Sequence, residues 1–435
     1  MKLLLYFISG IEKVFLALLP ASLFILLLSA CDSAPPPLPT ATNTAAPTPS
    51  VSIPANAEAT QTPPVSVTTV EATPTTGTAS GSRIIYLDPD GFTVKSVLHD
   101  GTSPRTEAVI QKMPEQRVTT LSADPTGEYL VYTLSSSDPD VFSLKSYLWH
   151  DDVATEITPI LERPRWSPDG KWFAAQALDT TGGIYLHDLR HGTGETLPAQ
   201  GSPDWFPDGK RLVYTNGSNL FIYDIETEVS TPLTTLPDDE TNQWQSQEAH
   251  VLPTGDRIIF SGGLAVEDGK PVLGPHGGER VWWWIPSTGG TPQHWSEIVG
   301  KGGASNYAAS SLGNTVVVSH SSFAGATCPS YEDVAIVGFD IAAGGISSTL
   351  PITATSAPNI GIDPNGAWVT QVNGITWSPD GTEFAYGVER HACSSGEPTG
   401  DPLSSNIYVW DGDPDKEPRL SIEGSYPNWV RGNSP

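Results

Sequence analysis

From Arg83 onward the chain alternates short apolar runs with polar turns, and one phrase recurs. In Arg165-Trp166-Ser167-Pro168-Asp169-Gly170-Lys171-Trp172-Phe173-Ala174-Ala175 an apolar run enters Pro-Asp-Gly and a second apolar run leaves it. Proline presets φ to about −65°, aspartate can bond its own backbone, and glycine takes positive φ without strain. The phrase therefore predicts a β-hairpin. It returns as Trp205-Phe206-Pro207-Asp208-Gly209 and Trp377-Ser378-Pro379-Asp380-Gly381. Looser copies are Ala123-Asp124-Pro125-Thr126-Gly127, Val251-Leu252-Pro253-Thr254-Gly255 and Ala309-Ser310-Ser311-Leu312-Gly313.

A third apolar run follows each hairpin and ends at aspartate, as in Gly183-Ile184-Tyr185-Leu186-His187-Asp188, Asn219-Leu220-Phe221-Ile222-Tyr223-Asp224 and Asn406-Ile407-Tyr408-Val409-Trp410-Asp411. A short fourth run comes next, such as Glu195-Thr196-Leu197. Each unit thus predicts four strands, A to D, with the Pro-Asp-Gly turn between A and B. The turn glycines stand at 127, 170, 209, 255, 313 and 381, at intervals of 43, 39, 46, 58 and 68 residues. A four-strand unit repeating at about 40 residues is the pattern of a β-propeller blade.

The ends complete the pattern. Arg83–Leu87 and Phe92–Leu98 read as strands B and C, with a D strand near Glu107–Ile110. Ser425–Val430 reads as a strand A with no B after it. Joined, they make one blade from both ends, which closes a ring and leaves no free sheet edge. The expected fold is an all-β propeller of four-stranded blades, seven in number, with six or eight as alternatives.

The Trp-Ser-Pro-Asp-Gly and Ile-Tyr-x-x-Asp phrases together resemble the TolB-type, WD40-like β-propeller repeat, over about residues 83–431. That resemblance implies a propeller fold. It does not extend to the α/β domain that precedes the propeller in TolB. Similar propellers also stand before the hydrolase domain of prolyl oligopeptidases.

Residues 1–30 pair a basic start (Lys2, Lys13) with an apolar run from Val14 to Leu28, the pattern of a secretory signal. Leu28-Ser29-Ala30-Cys31 resembles the bacterial lipobox, which implies lipidation of Cys31. The rival is an uncleaved transmembrane anchor. Residues 31–80 hold the lipidated Cys and a Pro-, Thr- and Ala-rich stretch that cannot build a core, a spacer before a propeller over 81–435.

Charge narrows the partners. A net charge of −27 repels phosphate backbones and makes nucleic acid a poor partner. Of three cysteines, Cys31 belongs to the export signal. Cys328 and Cys393 follow equivalent turn glycines by 15 and 12 residues, so they fall in neighbouring B–C loops and are expected to form a disulfide.

All long insertions project to the face opposite the Pro-Asp-Gly turns. They are the B–C loops 261–280, 320–334 and 390–405 and the D–A crossings 236–248, 296–305 and 351–373. Loops on a rigid scaffold concentrate binding residues, and aromatic and arginine side chains anchor recognition. The candidate ligand-binding residues are Trp244, Glu248, His250, Trp368, Arg390 and His391. Trp282-Trp283-Trp284 is expected to alternate across a C strand, and His99-Asp100, His150-Asp151 and His187-Asp188 to be turn residues. Asp411, Asp413 and Asp415 have the first spacings of a calcium loop but lack its glycine and glutamate, so no metal is expected. Neither Gly-x-Ser-x-Gly nor His-Glu-x-x-His occurs, nor a phosphate-binding Gly-Lys-Ser/Thr loop. The expected function is a lipid-anchored, extracytoplasmic, non-catalytic module without a cofactor, binding a protein, peptide or glycan. The alternative is a hydrolase or lyase with its site at the channel mouth.

Overall fold

The computed structural model describes residues 81–431 apart from 114, 137–142, 179–181, 218, 236–247, 268–269, 273–279, 295–303, 311–314, 324–329, 339–367, 395–396 and 414. The described residues form strands and no helix.

The strands group into antiparallel blades, two of which are joined into one nine-stranded sheet by a single parallel bridge between Ser202 and Glu248. The first blade joins both ends of the described chain: β1 (Arg83–Leu87), β2 (Thr93–Leu98) and β3 (Arg105–Val109) are completed by the last strand, β28. The second holds β4 (Gln116–Ala123), β5 (Leu130–Ser136), β6 (Leu144–His150) and β7 (Val153–Ile157). The third holds β8 (Leu161–Trp166), β9 (Trp172–Ala177), β10 (Ile184–Asp188) and β11 (Thr193–Leu197). The fourth holds β12 (Gln200–Trp205), β13 (Arg211–Asn216), β14 (Asn219–Asp224) and β15 (Val229–Pro232). The fifth holds β16 (Glu248–Val251), β17 (Arg257–Glu267), the short β18 (Lys270–Val272), β19 (Arg280–Pro286) and β20 (Gln293–His294). The sixth has three described strands, β21 (Ala304–Ala309), β22 (Thr315–Phe323) and β23 (Ser330–Gly338). The seventh holds β24 (Trp368–Trp377), β25 (Phe384–Ser394), β26 (Glu397–Trp410) and β27 (Leu420–Glu423), after which β28 (Ser425–Val430) returns to the first.

The closure expected from the two chain ends is present. Strand β28 pairs antiparallel with β1, with Arg83 opposite Val430, Ile84 opposite Trp429 and Ile85 opposite Asn428. The cores lie between consecutive blades. Ile84 and Tyr86 of the first blade pack with Ala385, Ile407 and Val409 of the seventh, while Ile85, Leu87 and Val94 pack with Val118, Leu121 and Leu130 of the second. Burying a side chain the size of Phe173 or Phe206, both fully enclosed, contributes about 2–3 kcal/mol.

The repeated phrase also joins the blades. Trp166 Nε1 donates to Ser122 Oγ at 3.0 Å, Trp205 Nε1 to the Arg165 carbonyl at 2.9 Å, and Trp377 Nε1 to the Ala308 carbonyl at 2.9 Å. Each bond crosses from one inner strand to that of the preceding blade. The turn glycines serve the same seams: Gly255, at φ +72°, has Pro207 of the preceding turn 3.3 Å from where a Cβ would stand.

Two expectations change. The B–C insertions are not plain loops: 390–405 lies mostly in the β25–β26 hairpin, whose ladder runs out to Ser394 opposite Glu397. Likewise β22 and β23 pair out to Phe323 opposite Ser330. The side-chain alternation of an antiparallel ladder simply continues past the blade. His187 and Asp188 are not turn residues but end β10, buried, with the His187 ring 5.0 Å from that of Phe173. The tryptophan run, by contrast, agrees with packing between blades: Trp283 joins an interblade core, and Trp284 is also buried, with the Arg257 guanidinium 5.0 Å from its ring.

Candidate functional site

The inner strands surround a channel. At the end nearer the Pro-Asp-Gly turns, a cavity of about 560 Å³ is lined from every described inner strand, by Ala123, Arg165, Asp204, Val251, Ala308, Ile375 and Trp429 among others. A second cavity, of about 600 Å³, is lined by residues that mostly come earlier along the same strands, and so opens toward the hairpin-bearing end. Arg165, Trp166, Asp204, Ile375 and Thr376 line both cavities, which therefore meet at their level.

Bulges shape the hairpin-side cavity. Registers shift at Val118/Thr120, Glu162/Arg165, Val372/Gly374 and Ile85/Leu87, so that Thr119, Arg163, Asn373 and Tyr426 are the extra residues on their inner strands. All four line the cavity. A bulge re-aims a side chain. Arg163 and Tyr426 are held at φ +52° and +54°, a region that is costly for residues with a Cβ and persists where the surroundings enforce it. For Tyr426 one such constraint is a hydrogen bond from its backbone N–H to Asn373 Oδ1, at 3.1 Å.

Glu248 and His250, two of the candidate residues, lie on β16 beside this channel and are buried. Glu248 is ion-paired with Arg163, reaching across from β8. His250 Nδ1 is 3.7 Å from Asp204 Oδ2, and its Nε2 is 3.8 Å from Glu248 Oε2. Burial lowers the His250 pKa to about 4, against the raising influence of Asp204 and with Arg165 and Arg163 adding to the fall. His250 is therefore neutral at pH 7. Asp204 Oδ2 also accepts the Val251 backbone N–H at 2.9 Å, which ties the fourth blade to the fifth.

Trp368, Arg390 and His391 belong to the seventh blade. Trp368 pairs with Ala392 across β24 and β25, and Arg390 with Thr370. Adjacent strand residues point to opposite faces, so Arg390 and His391 diverge. His391 instead meets Glu389, with Nε2 3.3 Å from Oε2, and Glu389 lines the hairpin-side cavity. Trp244 and Cys328 lie outside the described residues, as does Cys31; Cys393 sits in β25 opposite Pro398. The candidate set thus divides: Glu248 and His250 share one polar cluster, while Trp368, Arg390 and His391 sit in another blade.

Sequence reasoning missed Arg163, Arg165, Asp204, Asn373, Glu389 and Tyr426. A signal existed for two of them. Arg165 and Asp204 stand immediately before the tryptophan of the repeated phrase, where the other copies have Ser122, His250, Ala308 and Thr376, and the closing strand has Asn428. At Asp411 and Asp413 the cation is internal: Lys416 Nζ lies 2.8 Å from Asp411 Oδ2 and 3.0 Å from Asp413 Oδ2. Among the described residues no three His, Cys, Asp or Glu side chains are grouped to hold a metal. The channel is instead rich in hydrogen-bonding groups held in fixed positions.

No family model matches the chain. Over 90 residues it is 33% identical to the Tol-Pal system protein TolB of Alcanivorax borkumensis, a match spanning 19% of this chain and 19% of that protein. Among solved structures it is similar to a putative TolB from Agrobacterium tumefaciens, at 18% identity over 61% of this chain and 86% of that one, with TM-score 0.36. It is also similar to the β-propeller domain of the Trilobed protease from Pyrococcus furiosus, at 13% identity over 68% and 84% of the two chains, with TM-score 0.39. The fold is a β-propeller, an assignment carried by the chain's own sheet order and end-to-end closure.

Proposed function

We propose that the protein is a seven-bladed, non-catalytic binding module outside the cytoplasm, held to a membrane through lipidated Cys31 and raised from it by residues 32–80. Its partner is a protein, peptide or glycan. It binds at the hairpin-bearing end of the channel, where the long β17–β19, β22–β23 and β25–β26 connections stand. The carrying observation is the set of bulges that turns Thr119, Arg163, Asn373 and Tyr426 into one cavity, two of them in strained backbone. Glu389 supplies a further polar group in its lining, buried Glu248 holds Arg163 in place, and neither the cluster nor the channel calls for a cofactor. The short regular turns at the opposite end suit packing between blades rather than a variable binding surface.

Shortening the β25–β26 hairpin between Arg390 and Ser405 to a tight turn tests this. The shortened protein is expected to melt with the wild type while losing partner capture from envelope extracts. Undiminished capture would overturn the placement of the site.

A further inference from the structure

Where the two channel cavities meet, one residue brings a cation into a series of mostly hydrogen-bond-accepting positions. The equivalent positions on the other inner strands mostly accept a hydrogen bond from the next blade. Ser122 Oγ accepts from Trp166 Nε1 at 3.0 Å, Asp204 Oδ2 from Val251 N at 2.9 Å, Thr376 Oγ1 from Trp429 N at 3.2 Å, and Asn428 Oδ1 from Ala123 N at 3.0 Å. Arg165 stands in that series and has no acceptor to offer. Its Nε is buried without a hydrogen-bond partner, and its guanidinium forms no ion pair among the described residues. Asp204, its neighbour in the series, is turned toward Val251 N and His250 instead. Arg165 is only partly buried and Glu162, Asp204 and Glu389 line the same cavity, but none of these carboxylates is within ion-pair reach of its guanidinium, which leaves that group available to a bound anion.

Three further buried polar atoms on channel-lining residues also lack partners: Thr120 Oγ1, Asn373 Nδ2 and Trp429 Nε1. Each can donate a hydrogen bond, and the tryptophan and amide nitrogens can only donate. Thr120 and Asn373 belong to the hairpin-side cavity and Trp429 to the turn-side cavity, while Arg165 lines both. Donors left over on several blades, in cavities that share one cation, match an oxygen-rich anion.

We propose that the middle of the channel is a carboxylate-binding site, with Arg165 as the anchoring cation and Asn373 and Trp429, on other blades lining the same cavities, as further donors. The site deepens the binding function above, since it names the chemistry of what enters the channel. It is nevertheless distinct from the hairpin surface. The carboxylate comes either from a small free acid or from an acidic side chain of a peptide. The protein's own net charge of −27 disfavours diffuse anion binding, so a saturable response points to a built site.

Titration calorimetry of the purified full chain tests this with two matched pairs: succinate against succinamide, and a short peptide with one glutamate against its glutamine counterpart. At least one acid is expected to bind with its amide counterpart silent, and Arg165→Gln is expected to weaken that binding about tenfold or more, the loss of one charge-assisted contact. Succinate binding identifies a small acid as sufficient; binding of the glutamate peptide alone identifies a peptide ligand. Silence of both acids, equal binding of acid and amide, or undiminished binding by Arg165→Gln overturns the proposal. If Arg165→Gln does not fold, the acid-against-amide comparison on the wild type decides alone. A negative result here leaves partner capture by the hairpin end intact, so the two failures are distinguishable.

Discussion

Trp205 donates its indole N–H to the carbonyl oxygen of Arg165, 2.9 Å away, across the seam between the third and fourth blades. Trp377 makes the same contact to the Ala308 carbonyl and Trp166 donates to Ser122 Oγ, so the tryptophan of the repeated phrase fills the seam and binds the preceding inner strand. Trp205→Phe keeps most of the apolar surface but removes the bond to that part-buried carbonyl. It is expected to lower stability by about 1–2 kcal/mol, read as a lower urea midpoint at unchanged slope. An unchanged midpoint would show that the bond contributes nothing to holding the seam.

Arg163 and Glu248 form an unequal pair, with Glu248 buried and Arg163 partly exposed. Removing the cation strands a buried carboxylate, whereas neutralising the carboxylate leaves a cation that can reach water. Arg163→Met is therefore expected to cost roughly 2 kcal/mol and Glu248→Gln less, the value kept low because one partner is partly solvated. Chemical denaturation of the two variants compares them directly, and a larger loss for Glu248→Gln would contradict the geometry.

His250 gives the propeller an acid-sensitive point. Its pKa in the folded protein is lowered to about 4 from 6.5. Between those values the unfolded chain takes up a proton that the folded chain refuses. The contribution of neutral His250 is thus complete above pH 6.5 and is lost as pH falls toward 4, by roughly 2–3 kcal/mol in all. His187, also lowered by burial, acts in the same direction. His250→Gln is expected to flatten the fall in stability between pH 6.5 and 4 relative to wild type. A pH profile parallel to wild type would contradict this.

Two cysteine expectations lie outside the described contacts and rest on sequence alone. Cys31 is expected to carry the lipid: a palmitate analogue should label wild type and spare Cys31→Ser, and equal labelling of both would sink the anchor. Cys328 and Cys393 are expected to appear as one linked peptide pair in mass spectrometry without reductant. Alkylation of both thiols under those conditions would remove the bridge.

Strands and turns were legible because their determinants are local. Pro-Asp-Gly sets a turn within three residues, and the period-two runs beside it set the strands. Even the closure between β1 and β28 could be read, because Arg83–Leu87 lacks a strand A and Ser425–Val430 lacks a strand B. The B–C connections were misjudged because Gly, Ser and Pro around 394–404 suggest a loop, while the alternation through Glu389, Arg390 and His391 continues the ladder. The site was less legible. Bulges at Arg163, Asn373 and Tyr426 depend on how neighbouring strands are registered, and no local signal separates them from ordinary strand residues. His250 was found because it stands next to the inner-strand phrase, and Glu248 because it ends the crossing 236–248, although the structure places it in β16. Arg165 was passed over inside that phrase, where it looked like part of the turn signature.

Placement of the partner at the hairpin-bearing end is the central claim, and crosslinking from the two ends of the propeller tests it most directly. A photo-crosslinking residue is placed at Leu403, exposed on β26, or at Lys210, exposed beside the turn between β12 and β13. In cells producing each variant at equal level, covalent adducts are predicted from position 403 and not from position 210. Adducts from position 210 with none from position 403 would contradict the account.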